Sequence, residues 1–257
     1  MFGPQIAYAA DGIEVHLAPH ILGEFWGIPV SATLVTAWLS MVIVIALIAL
    51  LRTKIKLVPG KVQSLVEVAI GGSFDYIANT LESRELAKKY FPVIMTIFIF
   101  VLSLNWIGLL PGVTSIGWFE TSADGTTFTP LFYPANTDLN ITLAFAIVAL
   151  IAIELAGVLS LGFFKYAGKF INFKSPLAFV IGIIELISEM ARLVSYSFRL
   201  FGNIFAGKVL LLVITFFIPY IVPVPMMAFE VFVGVVQAFI FAILTLFFIK
   251  LAVTEPH

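Results

Sequence analysis

The sequence predicts an all-α, polytopic membrane protein with five transmembrane helices, one interfacial helix and a long, tilted helical hairpin at its C-terminal end. Three observations predict it: the hydropathy of the whole chain, the length of its apolar runs and the distribution of its basic residues. Of the 257 residues, 61% are hydrophobic and 11% are charged, and the mean hydropathy is +1.11. Soluble domains carry roughly 25% charged residues, so this chain cannot cover a folded surface in water with polar groups.

Five apolar runs are long enough to cross a bilayer, which takes about 20 helical residues. The long apolar stretch from residue 176 onwards is interrupted only by prolines, which predicts a hairpin of two long helices. The predicted spans are 28–51, 91–110, 140–164, 176–218 and 225–253. Residues 1–27 are expected to form an extracytoplasmic N-terminal segment, and 28–257 an integral membrane domain.

Basic residues alternate between the connections. Lys and Arg number none in 1–51, seven in 52–90, none in 111–164 and three in 165–175. By the positive-inside rule, 52–90 and 165–175 are cytoplasmic, whereas the N-terminus and the 111–139 loop lie outside. Five spans then put the C-terminus in the cytoplasm. No transit peptide is recognisable, which favours a bacterial plasma (inner) membrane.

Two connections have predicted structures of their own. After the first span, apolar residues recur at helical spacing over 62–70 beside charged ones. This pattern indicates an amphipathic helix in the membrane interface or, as an equal alternative, a short buried connector. The 111–139 loop carries glycines and prolines without helical periodicity and is expected to be irregular.

No cofactor or metal site is predicted. Cys is absent, and the three histidines, His16, His20 and His257, lie in terminal segments. His16 and His20 share the i,i+4 spacing of a metal pair but have no third ligand nearby in the sequence. The net charge of −1, without a basic patch, gives no indication of a nucleic-acid partner.

An apolar helix over 184–207 carries a polar stripe. Its members recur at spacings of 4, 3, 4, 3 and 4, which places them on one face: Glu185, Glu189, Arg192, Tyr196, Arg199 and Asn203. A charge at mid-membrane costs about 2.5–3.5 kcal/mol on insertion scales, so the stripe needs partners or water. Pairing at i,i+3 and i,i+4 explains Glu185, Glu189 and Arg192 without a function. Arg199 has no acid at these spacings, which favours a functional role.

The last predicted helix holds two further intramembrane polar residues, Glu230 and Gln237, seven positions apart on one face. In an antiparallel hairpin, facing positions share a midpoint, and the pairs Arg199/Gln237 and Lys208/Glu230 have midpoints at 218 and 219. We therefore expect a hydrogen bond in the first pair, an ion pair in the second and a turn near residue 218. The alternative, a turn at 223–225, shifts the register by about one helical turn.

Four motifs occur in the order found in a known family. The most specific lies in Ser197–Gly207 and contains Arg-Leu-Phe-Gly-Asn; the others are Asn105–Gly112, Asp138–Asn140 and Gln237–Phe241. On these motifs the chain resembles subunit a of the F-type ATP synthase, whose signature is Leu-Arg-Leu-Phe-Gly-Asn. The resemblance covers most of the chain.

The resemblance implies ion transport, with the proton as the expected ion and sodium as the less frequent one. Ions would pass through two offset half-channels at the interface with a rotating c-ring, which couples the transmembrane gradient to ATP synthesis. The partners would be the c-ring, the peripheral stalk subunit b and membrane lipid. By this resemblance, the subunit itself would translocate ions and would not catalyse bond chemistry.

The same resemblance assigns roles to residues. Arg199 would be the stator arginine that faces the ring carboxylate, Asn203 and Gln237 would line the outer half-channel, and Glu230 would accept protons there. Lys208 stands where the family usually has Glu or His. The favoured role for Lys208 is to hold Glu230 ionised, and the alternative is to relay protons. The candidates for the cytoplasmic half-channel are Glu185, Glu189 and Ser195.

Two other functions compete with this interpretation. A secondary transporter also holds intramembrane charges, but the internal repeats and interrupted helices typical of that class are not found in the sequence. A structural membrane subunit, whose buried charges only hold helices together, explains Glu185 and Arg192 better than it explains Arg199.

Overall fold

A computed structural model describes residues 6–8, 14–16, 19–53, 55–122, 125–170 and 175–254. The helices are α1 (Ala32–Thr53), α2 (Lys61–Leu81), α3 (Arg84–Ile107), α4 (Leu139–Leu161), α5 (Phe163–Phe170), α6 (Pro176–Phe217) and α7 (Pro223–Val253). Three antiparallel hairpins pair β1 (Ile6–Tyr8) with β2 (Glu14–His16), β3 (Ile21–Phe25) with β4 (Ile28–Ser31), and β5 (Gly117–Ser122) with β6 (Gly125–Pro130). Five helices, α1, α3, α4, α6 and α7, are long and apolar enough to span a membrane. The predicted polytopic helical architecture is therefore confirmed.

Capping residues determine where most of the spans begin. Four side chains accept a hydrogen bond from a backbone N–H two or three residues further on: Ser31, Ser83, Asp138 and Ser175. Each therefore satisfies one of the donors that a helix start leaves unpaired. Pro176 and Pro223 occupy the first positions of α6 and α7, where a missing N–H has no cost.

Local backbone geometry corrects two predicted span boundaries. The first span begins at Ala32 rather than at residue 28, because Ile28–Ser31 pairs with β3 across a turn at Trp26 and Gly27. These two residues have φ values of 53° and 77°, as a tight hairpin turn requires. The third span ends at Leu161 rather than at residue 164, because Gly162 adopts the left-handed region with φ 84°.

A short helix, α5, follows that glycine and was not predicted. Tyr166 of α5 packs back on Gly157 of α4, where an added Cβ would collide with the Tyr166 ring. The absence of a side chain at Gly157 therefore allows the short helix to lie against the end of α4.

The loop predicted to be irregular contains the β5–β6 hairpin, so that prediction is wrong. Gly117 pairs with Pro130 and Ser122 with Gly125 in a regular antiparallel register. Threonine and aromatic residues are frequent in both strands and favour extended backbone.

The amphipathic segment after the first span forms α2. Its first half exposes apolar side chains, among them Val62, Leu65 and Val68, whereas Ile77 and Leu81 near its end are buried. The exposed half has the character expected of an interfacial helix and the buried end that of a connector, so each alternative describes one part of α2.

The chain folds as two compact units. Unit 1 comprises Met1–Val44, Phe100–Ala144 and Ser197–Ala238, and unit 2 comprises Ile45–Ile99, Phe145–Tyr196 and Phe239–His257. Unit 2 has an apolar core whose largest members include Tyr90, Ile153, Leu246 and Ile249. Unit 1 instead buries many polar side chains: Thr33, Thr36, Asn105, Asn136, Asp138, Thr142, Glu230 and Gln237.

Candidate functional site

Within unit 1, α6 has one packed face and one uncovered face. Leu200 and Ile204 are buried, whereas Phe198, Asn203 and Ala206 are exposed. Arg199 is partly buried and lies between the two faces. Its side chain therefore borders a surface that no described part of this chain covers.

Two of the predicted site residues are one helical turn away from Arg199. Asn203 Nδ2 donates a hydrogen bond to the backbone carbonyl of Arg199 at 3.0 Å, which holds the Asn203 side chain along the exposed face. Ser195 is also exposed. Both Asn203 and Ser195 are therefore accessible from outside the chain.

Glu230 of α7 packs directly against α6 at Gly207. Its side chain is buried, and an added Cβ at Gly207 would collide with both Glu230 carboxylate oxygens. In residue number, the midpoint of the Gly207–Glu230 contact lies between the midpoints at 218 and 219 predicted for the hairpin. The α6 helix ends next to it, at Phe217. The predicted register is therefore confirmed. The alternative turn at 223–225 is wrong, because these residues form the first turn of α7.

The predicted ion pair between Lys208 and Glu230 is not formed. Lys208 Nζ lies over the Tyr133 ring, 2.9 Å from the ring centroid, and has no hydrogen-bond partner in the part of the chain that the structure describes. Glu230 instead faces Gly207, and successive helical residues are rotated by about 100°. The Lys208 side chain therefore leaves α6 in another direction, and the direct pairing needed to hold Glu230 ionised is missing.

Lys208 and Glu230 nevertheless line one cavity of about 180 Å³. Its wall also includes Asn105 and the Leu109–Gly112 segment that follows α3. A cavity with polar partners holds a water molecule from about 10–15 Å³ upward, so this cavity has room for water beside these side chains. The cavity joins a cation, an acid and an amide around a space that water can enter.

A hydrogen-bonded pair of amides supports the wall of this cavity. Asn105 Nδ2 donates to the Gly234 carbonyl of α7 at 2.9 Å, and Asn136 Nδ2 donates to Asn105 Oδ1 at 2.6 Å. The indole N–H of Trp106 donates to the Val231 carbonyl at 3.3 Å. In the sequence, Asn105 stands out only as part of a motif, and no pattern singles out Asn136.

Unit 2 holds the charged residues of the first half of α6 in ion pairs. Arg192 Nη1 lies 2.6 Å from Glu189 Oε2, and the two side chains are 15% and 5% exposed. The Arg192 guanidinium also lies 3.9 Å from the Phe248 ring centroid. Lys169 Nζ of α5 lies 2.7 Å from Glu185 Oε1. The i,i+3 pairing predicted within α6 is confirmed for Glu189 and Arg192, whereas the partner of Glu185 comes from α5.

Tyr166 and Glu154 add an acidic neighbourhood that sequence analysis missed. The pKa of the Tyr166 hydroxyl is raised, first by burial and then by the nearby Glu154 carboxyl, with a smaller contribution from Glu189. Glu154 lies within an otherwise apolar run of α4, where a single acid gave no periodic signal.

These features define a class of protein: a polytopic membrane protein in which one long helix carries an arginine beside an uncovered face, and in which that helix and the next one place a lysine and a glutamate on the wall of one cavity. A family model described as ATP synthase A chain matches residues 34–250. The chain therefore belongs to the ATP synthase A chain family.

Related proteins cover most of the chain. ATP synthase subunit a 3 of Pelobacter propionicus is 33% identical, with 94% of this chain and 94% of that protein covered. ATP synthase subunit a of Campylobacter concisus is 35% identical over 83% of this chain and 85% of its own length. The Moorella thermoacetica subunit a is 29% identical over 91% of this chain and 96% of its own length.

Proposed function

We propose that this chain is the stator subunit of a rotary ATP synthase and that it passes protons across the membrane beside Arg199. The observation that carries the proposal is the position of Arg199, which borders an uncovered face of α6 in a chain of the ATP synthase A chain family. That face is where a rotating c-ring would lie. The coupling of proton flow to ring rotation would drive ATP synthesis.

An arginine suits this position for a physical reason. A guanidinium group keeps its proton even when it is partly desolvated, so Arg199 acts as a permanent positive charge and not as a relay. An opposite charge within about 4–6 Å favours the ionised form of an acid, so a ring carboxylate that arrives beside Arg199 releases its proton. The same charge repels cations that would otherwise leak straight across.

The outer half-channel is proposed to run through the cavity of unit 1. Glu230 is the proton acceptor in this scheme, because its carboxyl lines the cavity and has no ion-pair partner in the described part of the chain. Gln237, buried two turns further along α7, and Asn203 line the path towards Arg199.

The cytoplasmic half-channel is proposed to open beside Ser195, which is exposed one turn before Arg199. Glu185 and Glu189 were also candidates for this channel. Their ion pairs with Lys169 and Arg192 support a structural role instead, because a cation of the same chain already compensates each carboxylate.

The orientation follows the basic connections. We propose that the N-terminus and the 111–139 loop lie outside a bacterial plasma membrane, and that the 52–90 connection, the lysines of α5 and the C-terminus lie in the cytoplasm. The peripheral stalk subunit b would be the second protein partner.

The test is ATP-driven proton pumping in inverted vesicles that carry the complete complex with Arg199→Ala or Arg199→Lys. We expect pumping by Arg199→Ala to fall to the background seen without ATP, while the complex still assembles. Arg199→Lys should fail as well, because desolvation can neutralise an amine. Passive proton leak, measured after removal of the catalytic head, should rise in Arg199→Ala.

A matched control is Arg84→Ala, which removes an arginine whose ion pair with Asp75 has side chains 77% and 61% exposed. Its pumping should equal that of the wild type. Normal pumping by Arg199→Ala would contradict the proposed function and favour a structural subunit. Isolation of the chain without a c-ring or stalk would favour a secondary transporter.

A further inference from the structure

Lys208 has an unusual setting for a charged side chain. Its Nζ is buried, lies 2.9 Å from the centroid of the Tyr133 ring and has no hydrogen-bond partner in the described ranges. An ammonium over an aromatic face is attracted by the negative charge of the ring's π-system, and the attraction grows when water is excluded. The Tyr133 ring therefore takes the place of Glu230, the acid that was expected to form an ion pair with Lys208.

Tyr133 is held both at its backbone and at its ring. The backbone N–H of Tyr133 donates to Thr36 Oγ1 at 3.0 Å, and Thr36 Oγ1 donates to the Ala32 carbonyl of α1 at 2.9 Å. The His20 ring meets the Tyr133 ring edge to face, with centroids 5.3 Å apart and planes at 72°. These contacts hold the ring in place independently of Lys208.

The next residue, Pro134, packs the loop that carries Tyr133 against the end of α3. Pro134 lies so close to Gly108 that an added Cβ there would meet Pro134 Cβ at 2.7 Å. The loop that carries Tyr133 is therefore anchored at both α1 and α3. A ring fixed in this way can hold a flexible lysine side chain in one position. Because the ring is already rigid, only the lysine loses conformational entropy when the two come into contact.

We propose that Tyr133 is a positioning residue for proton transfer: its ring holds the Lys208 ammonium at the side of the cavity and away from Glu230. The proposal rests on the proposed function, in which Glu230 exchanges protons. A direct ion pair would lock Glu230 in the ionised form. With Lys208 on the ring, the Glu230 carboxyl has no ion-pair partner in the described part of the chain and stays able to accept and release a proton.

The role belongs to the face of the ring and not to its hydroxyl group, which gives a graded test. Tyr133→Phe should keep at least half of the ATP-driven pumping of the complete complex in inverted vesicles. Tyr133→Leu, which is apolar but has no π-face, should lower pumping per assembled complex by about thirtyfold, the equivalent of a desolvated cation–π contact. Successive fluorination of a phenylalanine at this position weakens the ring charge without changing its shape, so pumping should fall stepwise with each fluorine.

A double-variant cycle shows whether the effect passes through Lys208. In a Lys208→Met chain there is no ammonium to hold, so adding Tyr133→Leu should cause no further loss. If Tyr133→Leu lowers the amount of assembled complex, the fluorinated series decides, because those side chains keep the ring shape and the packing.

Three outcomes would overturn the proposal: a fluorinated series with constant pumping, a Tyr133→Phe variant as defective as Tyr133→Leu, or a Tyr133→Leu loss that persists fully in Lys208→Met. These outcomes are separate from failure of the proposed function. If Arg199→Ala abolishes pumping while the Tyr133 series has no effect, the proposed function stands and the positioning role falls. If Arg199→Ala pumps normally, both fall.

Discussion

The charged residues of α6 and α7 have different surroundings in the two units. In unit 2, Glu185 and Glu189 each lie within 2.7 Å of a cationic nitrogen, and Arg192 is covered by an aromatic ring as well. In unit 1, Lys208 and Glu230 line one cavity, yet neither has an ion-pair partner among the residues the structure describes. Glu189 and Arg192 are thus paired in one unit, whereas Lys208 and Glu230 are kept apart in the other.

That difference separates two reasons for keeping charge in an apolar protein. A paired charge is compensated by the opposite charge beside it, and its role is to stabilise the fold. An uncompensated buried charge destabilises the fold, so it is retained where it has another use. Variants in the two units should therefore differ in kind: loss of assembly in unit 2, and loss of transport in an assembled complex in unit 1.

Removing one partner of the buried pair in unit 2 should have the largest effect on stability. Arg192→Ala leaves Glu189 buried and uncompensated, which costs about 3–5 kcal/mol for a pair of this kind. We expect little assembled complex, measured as the amount of this chain that copurifies with the c-ring. Removing both charges, in Glu189→Leu with Arg192→Met, should restore most of the assembly, and no restoration would contradict a purely structural pair.

Gly207→Ala should have a smaller effect and should act on transport. The new methyl group collides with the Glu230 carboxyl, and overpacking of this kind costs about 1–3 kcal/mol. The Glu230 carboxyl must then move away from its contact with α6. Pumping per assembled complex should therefore fall while assembly is largely retained. The control is Gly71→Ala in α2, where an added Cβ meets nothing within 4 Å. Equal pumping in the two variants would mean that the position of Glu230 is unimportant.

The exposed ion pair between Glu82 and Lys250 of unit 2 should have the smallest effect. Lys250 Nζ lies 2.7 Å from Glu82 Oε1, and this hydrogen bond and charge hold the pKa of Glu82 below its ordinary value of 4.5. A lowered folded-state pKa adds stability above the ordinary value, and that stability is lost as the pH falls through the folded-state pKa.

Glu82→Gln should therefore lower the unfolding temperature slightly at neutral pH and not at all in acid. High salt should also remove the difference, because the pair is exposed and screened. Thermal unfolding in detergent at two pH values measures this, with Glu24→Gln as the control for loss of an exposed acid. A difference that survived in acid would show that Glu82 acts through packing and not through its charge.

A local pattern predicted the pairing of Glu189 with Arg192, whereas contacts distant in sequence produced the setting of Lys208. The i,i+3 spacing of Glu189 and Arg192 is visible in the sequence, and helix geometry alone brings the two side chains together. The hairpin register was predictable because both helices are regular between Arg199 and Gln237. The five spans were predictable because each needs a long apolar run.

The contact between Lys208 and Tyr133 could not be predicted in the same way. Tyr133 lies in a loop without periodicity, and its place beside α6 depends on contacts with α1 and α3 that are distant in sequence. The pairing of Lys208 with Glu230 was expected from the register of two facing helices alone. The loop that carries Tyr133, which contacts the lysine instead, did not enter that expectation. The short helix α5 and the β5–β6 hairpin were missed because each is set by a few residues, such as Gly162.

The most direct test of the contrast compares Glu230→Gln with Glu189→Gln in the same inverted vesicles, with pumping divided by the amount of assembled complex. Each change replaces one buried acid with an amide of nearly the same shape. We expect Glu230→Gln to assemble normally and to lose ATP-driven proton pumping, whereas Glu189→Gln should assemble poorly and pump almost normally per complex. The reverse result, with transport lost in Glu189→Gln and kept in Glu230→Gln, would contradict the account.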